Sequence, residues 1–286
     1  MKRTFAPDDA LLSSFRVSAP DLVAETPIAS VWKVERDNGQ HAALKLYRQG
    51  SMKNEAPGYA MLNAWGGESA ARLIEKNSFA ALIEWLDGPS LGDFVREGKD
   101  KGASILLVRV ACRLHEQPVS DRVKLPSMED WFQPLLAAKP NPECPSDAAA
   151  NLARAQALTK ALLDTQDDVV ALHGDLHHDN IRLGLRGFCA FDAKGVRGER
   201  TYELANAFRN PKGASETVRD PARITYLADQ WSSIFDVDRA RLLGWAAAKC
   251  ALSIAWRASG EDGLIGTDDE FDLLGSLLNA PGILAV

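Results

Sequence analysis

The chain has 286 residues, 46% hydrophobic and 25% charged, enough apolar material for a substantial core. Its formal net charge of −6 makes a nucleic-acid partner a poor expectation and a small cationic molecule an electrostatically easier one. Four cysteines without a CxxC pair argue against a zinc site or a disulfide scaffold; no apolar run could cross a membrane and no signal peptide is visible, so a cytoplasmic location is expected.

The first ninety residues read as β-rich. Residues 29–47, ASVWKVERDNGQHAALKLY, are two extended runs around Asn38-Gly39, a pair that tolerates positive φ and marks a hairpin. Residues 54–67 read as a helix, with Pro57 acceptable in its first turn. Residues 71–75 and 79–86 read as further strands, giving the order strand, strand, helix, strand, strand. DGPS at 87–90 breaks the pattern and is expected as a hinge between an N-terminal lobe, 1–87, and a C-terminal lobe, 88–286.

Beyond the hinge the pattern is mainly helical. Residues 104–115 place Ile105, Val108, Cys112 and His115 near one face. Residues 146–163 are a strong helix former with Ser146 as the expected N-cap. Residues 239–256 form an apolar helix ending near Gly260, and Thr267 with Glu270 makes a capping box for a last helix. The Pro-rich stretch 116–145 is expected to be irregular, and residues 180–192 form the sole β-like patch of this half. The predicted class is therefore α+β, with a small β-rich lobe and a larger helical lobe arranged as in protein kinases.

The segment LHGDLHHDN, 172–180, sharpens this expectation. Protein kinases place a catalytic Asp and a metal-binding Asn five residues apart on one loop, followed across a short hairpin by a metal-binding Asp. Asp175 and Asn180 have that spacing, and Asp192 follows the hairpin RLGLRGFCAFD. Asp175 is the expected base, Asn180 and Asp192 the expected Mg²⁺ ligands, and His173 a brace for the loop. An Asp–Asn spacing also occurs in plain solvated turns, but the following hairpin and Asp192 argue against that alternative. The same nonapeptide resembles an H-x-D-x-H-H-D zinc cluster; such sites draw further histidines from distant loops, and none follows residue 178.

For the nucleotide, Lys45 in AALKLY fits the strand lysine that fixes phosphates, and Glu55 at the start of the next helix is its expected partner. A surface lysine and a helix-start acid are the plainer alternatives. Glu84 and Leu86 in LIEWLDG are expected to offer a backbone carbonyl and amide to the adenine edge. There is no GxGxxG and no P-loop; the candidate phosphate cap is Pro27-Ile28-Ala29-Ser30.

These residues resemble a known family. LHGDLHHDNI with FDAKGVRGE is similar to the aminoglycoside phosphotransferases. SVWKV…NGQHAALKLY and DPARITYLADQWSSIFDVDRARLLGWA…LSIAW resemble the streptomycin 6-kinase and hydroxyurea phosphotransferase branch. The resemblance implies a two-lobed kinase-like fold, ATP with Mg²⁺, and transfer to a hydroxyl of a small, usually cationic acceptor, with antibiotic inactivation as the role. It implies the same assignments for Asp175, Asn180, Asp192 and Lys45. Ala193 departs from the proline common in that branch, and Glu203 from a common aspartate. The alternatives kept open are a kinase of another metabolite or sugar and a catalytically weak kinase-like binding protein. The acidic run 261–272 could line a cationic acceptor's site, but helix capping is the preferred explanation of it. Trp231, Trp245 and Trp256 are candidates for pocket walls, although such residues are more often core.

Overall fold

The Asn38-Gly39 turn, with Gly39 at φ 75°, closes the central hairpin of the N-terminal sheet in the computed structural model, which describes residues 5–257 and 269–284. Helix α1 (Asp9–Ser14) precedes strands β1 (Val17–Glu25), β2 (Ala29–Arg36) and β3 (His41–Tyr47). Helix α2 (Ala56–Trp65) then leads to β4 (Leu73–Lys76) and β5 (Ala80–Glu84). The five strands form an antiparallel sheet in the order β1-β2-β3-β5-β4. The sequence reading lacked β1. That strand carries Pro20 and lies at the sheet edge, where the missing amide is tolerated.

Side chains alternate across β3, and this sorts its residues chemically. Ala42, Leu44 and Leu46 enter a core with Leu11, Phe15, Trp32, Val34 and Leu82. Lys45 and Tyr47 lie on the opposite side, where Tyr47 joins Tyr59, Met61, Leu62 and Trp65 of α2 in the main core. The expected hinge at 87–90 is tied down. Gly88 N donates to Leu183 O at 2.8 Å, and Leu183 N donates to Pro89 O at 3.0 Å.

The helical part contains α3 (Leu91–Arg96), α4 (Asp100–His115), α5 (Met128–Leu136) and α6 (Ser146–Asp164). After four short strands, β6 (Val169–Leu172), β7 (Ile181–Gly184), β8 (Gly187–Ala190) and β9 (Val196–Glu199), come α7 (Ser215–Arg219), α8 (Pro221–Phe235), α9 (Arg239–Arg257) and α10 (Asp269–Leu278). A 3₁₀ helix, Arg200–Arg209, follows β9. The chain has the α+β, bilobal, protein-kinase-like fold expected from its sequence.

Several expectations are corrected. The stretch 116–145 is not all irregular: Ser127 caps α5 by accepting from Asp130 N, and Met128, Phe132 and Leu135 bury one face. The buried stripe of α4 runs through Ala103, Leu107, Val108, Val110, Ala111 and Leu114, so of the expected face Val108 is buried while Ile105, Cys112 and His115 are only half-buried. Ser146 is already helical, and Pro145 occupies the N-cap position without a side-chain bond. The patch at 180–192 is not alone, because β6 pairs with β9 beside the β7–β8 hairpin. Gly260 and Thr267 lie outside the described residues. Among the described residues no helix is long and apolar enough to cross a membrane.

Candidate active site

The alternation of β3 aims Lys45 at the start of α2. Lys45 Nζ lies 2.7 Å from Glu55 Oε2 and 2.7 Å from Asp192 Oδ1. Glu55 sits in the 3₁₀ turn Lys53–Glu55 that opens α2. Lys194 closes the arrangement, 2.7 Å from Glu55 Oε1 and 3.3 Å from Asp192 Oδ2. Two ammonium groups thus alternate with two carboxylates. Burial works against the Asp192 charge, but Lys45 and Lys194 outweigh it and hold the carboxyl below its ordinary range. Burial also opposes the Lys45 charge, yet Asp192, Glu55 and their surroundings keep its pKa well above the usual lysine value.

Close backbone packing holds this network together. A Cβ on Gly58 would come within 1.7 Å of Ala193 O, so α2 rests directly on the loop that carries Asp192 and Lys194. Asp192 itself has φ 58°, a left-handed conformation that Asp tolerates better than most residues.

The loop after β6 is braced from beneath. His173 is fully buried, its Nε2 pairs with Phe191 O at 3.0 Å, and its ring stacks on Trp65. Lys194 N and Gly195 N both donate to His173 O, joining the two loops. Glu203, 1% exposed, accepts from His173 N at 2.9 Å and Gly174 N at 3.3 Å, and meets His115 Nε2 at 2.9 Å. A glutamate in place of aspartate therefore reaches two loop amides and a helix α4 side chain at once.

Asp175 projects from this braced loop. Its Oδ1 accepts from Asn206 Nδ2 at 2.8 Å and lies 3.6 Å from Lys249 Nζ, and its Oδ2 lies 3.5 Å from Asn180 Nδ2. Asn180 Nδ2 also donates to Asp175 O at 3.0 Å, and no donor among the described residues reaches Asn180 Oδ1. Asn180 Oδ1 and the Asp192 carboxylate are hard oxygen donors, the type a magnesium ion requires.

The three histidines of the loop have different surroundings. His173 faces Phe191 and Trp65, His177 Nδ1 accepts from Asp179 N, and His178 is buried beside the Trp231 ring. Asp179 pairs with Arg96 at 2.9 Å. Among the described residues no group of three His, Cys, Asp or Glu is arranged to hold a metal.

At the expected adenine edge, the Glu84 amide already donates to Arg72 O at 2.9 Å, and its side chain pairs with Arg186. Leu86 is buried against Ala71, Cys189 and Phe191, and among the described residues nothing accepts from its amide. Of the candidate phosphate cap, Pro27 and Ile28 form the turn between β1 and β2, which Thr26 closes by bonding Ala29 through both backbone and side chain. Ala29 and Ser30 already belong to β2, and the Ser30 hydroxyl donates to Phe5 O and accepts from Trp32 Nε1.

Sequence reasoning did not single out Lys194, Asn206 or Lys249. Lys194 was visible within FDAKG two residues after Asp192. Lys249 carried another signal, a lone charge within the apolar run GWAAAKCALSIAW. Trp231 and Trp245 are core residues, whereas Trp256 is 37% exposed and meets Trp131 edge to face.

Comparison with known proteins gives the chain its family. The family described as "Aminoglycoside/hydroxyurea antibiotic resistance kinase" matches residues 15–263. Streptomycin 3''-kinase from Klebsiella pneumoniae is 34% identical over 233 residues, covering 77% of this chain and 81% of that protein. Among solved structures, a choline/ethanolamine kinase family protein from Mesorhizobium loti aligns with a TM-score of 0.63 at 13% identity, covering 92% of this chain and 89% of that one. Amicoumacin kinase hAmiN, in complex with AMP-PNP, Ca²⁺ and Ami, aligns with a TM-score of 0.61 at 15% identity, covering 94% and 91%. These structural likenesses show the fold, and the sequence matches show the lineage. The chain belongs to the aminoglycoside/hydroxyurea antibiotic resistance kinase family.

Proposed function

We propose that this protein transfers the γ-phosphoryl group of Mg·ATP to a hydroxyl of streptomycin or a closely related aminoglycoside. The observation that carries this reading is the meeting of the Asp175–Asn180 loop with the Lys45–Glu55–Lys194–Asp192 network through shared backbone hydrogen bonds. The 34% identity to a streptomycin kinase supports the acceptor class.

Residues 1–87 would hold the nucleotide, with Lys45 fixing its phosphates and Glu55 fixing Lys45. The Glu84 carbonyl and the Leu86 amide would meet the adenine edge. Residues 88–286 would supply the acceptor site and the base. Asp175 would orient the acceptor hydroxyl through Oδ2 and take its proton as the phosphorus–oxygen bond forms. Asn180 Oδ1 and Asp192 would hold Mg²⁺, which when bound neutralises charge on the phosphates. His173 and Glu203 would keep the loop in place without touching substrate.

The sequence resemblance points to position 6 of streptomycin, whereas the Klebsiella relative is named for position 3''. The product answers this. Purified protein incubated with Mg·ATP and streptomycin should release one ADP per phosphorylated drug, with ³¹P–¹H correlation assigning the position. ATP consumed with no aminoglycoside on a broad panel, but with another sugar or metabolite, would replace the acceptor assignment.

A further inference from the structure

Helix α9 buries leucine, alanine, tryptophan and cysteine along most of its length, and one lysine among them. The Lys249 side chain is 2% exposed. Its Nζ lies 4.5 Å from the Trp256 ring centroid, 5.8 Å from that of Trp131 and 3.6 Å from Asp175 Oδ1. A buried ammonium is tolerated when a counter-charge and aromatic faces replace its water. Here the counter-charge is the carboxylate already assigned to the transfer.

We infer that Lys249 is a positioning residue for phosphoryl transfer, anchoring Asp175 by Oδ1 and offsetting its charge so that Oδ2 remains to meet the acceptor hydroxyl. This inference rests on the proposed role of Asp175. The two carboxylate oxygens are unequally occupied. Oδ1 takes Asn206 Nδ2 at 2.8 Å and the Lys249 ammonium, while Oδ2 has the long 3.5 Å approach of Asn180. Asn206 is in turn fixed by Arg209, which donates to its Oδ1 at 3.1 Å, and by Asn210. Without a nearby cation, a lone carboxylate would repel the phosphates it must approach.

The charged groups facing Lys249 are Asp175 from the loop, Arg209 from the 3₁₀ helix and Lys194 from the loop after β8. The neighbouring rings of Trp131 and Trp256 are neutral, as is Tyr202, whose hydroxyl accepts from Trp131 Nε1. Burial pushes the ammonium down to about 8, with Asp175 resisting and Arg209 and Lys194 adding to the fall. The residue is therefore charged near neutrality and loses its proton in mild alkali.

The test uses the full chain with Mg·ATP and streptomycin, comparing wild type with Lys249→Met, Lys249→Arg and Asp175→Asn. Lys249→Met keeps the volume and removes the charge. Its kcat should fall about ten-fold or more while KM for ATP changes less than about two-fold. Its thermal midpoint should change little, since the Asp175 left behind is partly exposed and keeps the Asn206 amide on Oδ1. Wild-type kcat should decline on an alkaline limb near pH 8. That limb should vanish in Lys249→Met and move upward in Lys249→Arg. Wild-type kcat and an unchanged limb in Lys249→Met would overturn the inference, as would joint loss of activity and stability. If Lys249→Met does not fold, an unmoved limb in Lys249→Arg overturns it. Turnover by Asp175→Asn would sink the base assignment itself. A dead Asp175→Asn beside a fully active Lys249→Met would sink the Lys249 inference alone.

Discussion

The candidate site holds two charge clusters, and they are built differently. On the sheet side, Lys45, Glu55, Lys194 and Asp192 form a closed ring of ion pairs at 2.7–3.3 Å. On the helical side, Asp175 is held by an amide and a more distant ammonium, with one oxygen lightly engaged. The first cluster is satisfied within itself and suits the binding of a polyanion that exchanges one set of charges for another. The second leaves one carboxylate oxygen lightly engaged, which the base role proposed for Asp175 requires. Rigidity belongs to the ring and availability to Asp175.

Breaking the helical cluster at its centre should give the largest effect. Asp175→Asn should lower kcat by about 10³-fold while ATP affinity stays close to wild type. Steady-state kinetics with calorimetric ATP titration measures both. Breaking the sheet-side ring is the contrasting experiment. Lys45→Met should lower kcat/KM for ATP by about 10²-fold, with the loss visible in nucleotide binding. Equal ATP affinity in that variant would separate Lys45 from the phosphates.

The ring can also be opened without touching a charge. Gly58→Ala places a methyl 1.7 Å from Ala193 O and must push α2 away from the Asp192 loop. Such overpacking should destabilise the fold by about 1–3 kcal/mol and weaken ATP binding, read by chemical denaturation and titration. Beneath the helical cluster, Glu203→Gln leaves two loop amides with a weaker, neutral acceptor. The cost should be about 1–2 kcal/mol, with kcat falling more than KM.

The smallest effect concerns pH. His178 is fully buried and both ring nitrogens lack partners among the described residues, so burial, with Arg223 nearby, keeps its pKa well below the ordinary value. The folded protein thus excludes a proton that the unfolded chain accepts. Stability is full above about pH 6.5, the ordinary histidine value, and declines as pH falls below it. Thermal midpoints between pH 7 and pH 5 should therefore fall less steeply in His178→Phe than in wild type. Parallel slopes would contradict this.

The two clusters also differ in how far the sequence reveals them. Asp175, Asn180 and Asp192 lie on one loop and the hairpin after it, so their spacing is set locally and can be read directly. Lys45 and Glu55 are legible because a strand and the next helix keep a short register. Asn206 and Lys249 reach Asp175 from separate helices, and no spacing rule links them to it. The helix at 128–136 was hidden by Pro126 before it and Pro134 inside it, and β1 by Pro20, since turn-forming composition masked regular structure that packing secures. The protein-kinase-like arrangement remained readable because the order of strands and helices needs no exact boundaries.

The most direct test of the central claim is ³¹P NMR of the reaction of Mg·ATP with streptomycin, run with wild type and with Asp175→Asn at equal nucleotide occupancy. The account predicts a new phosphomonoester signal growing in step with ADP for wild type and none for the variant. A wild type that binds ATP yet forms no phosphorylated aminoglycoside, or a variant that forms it at the wild-type rate, would contradict the account.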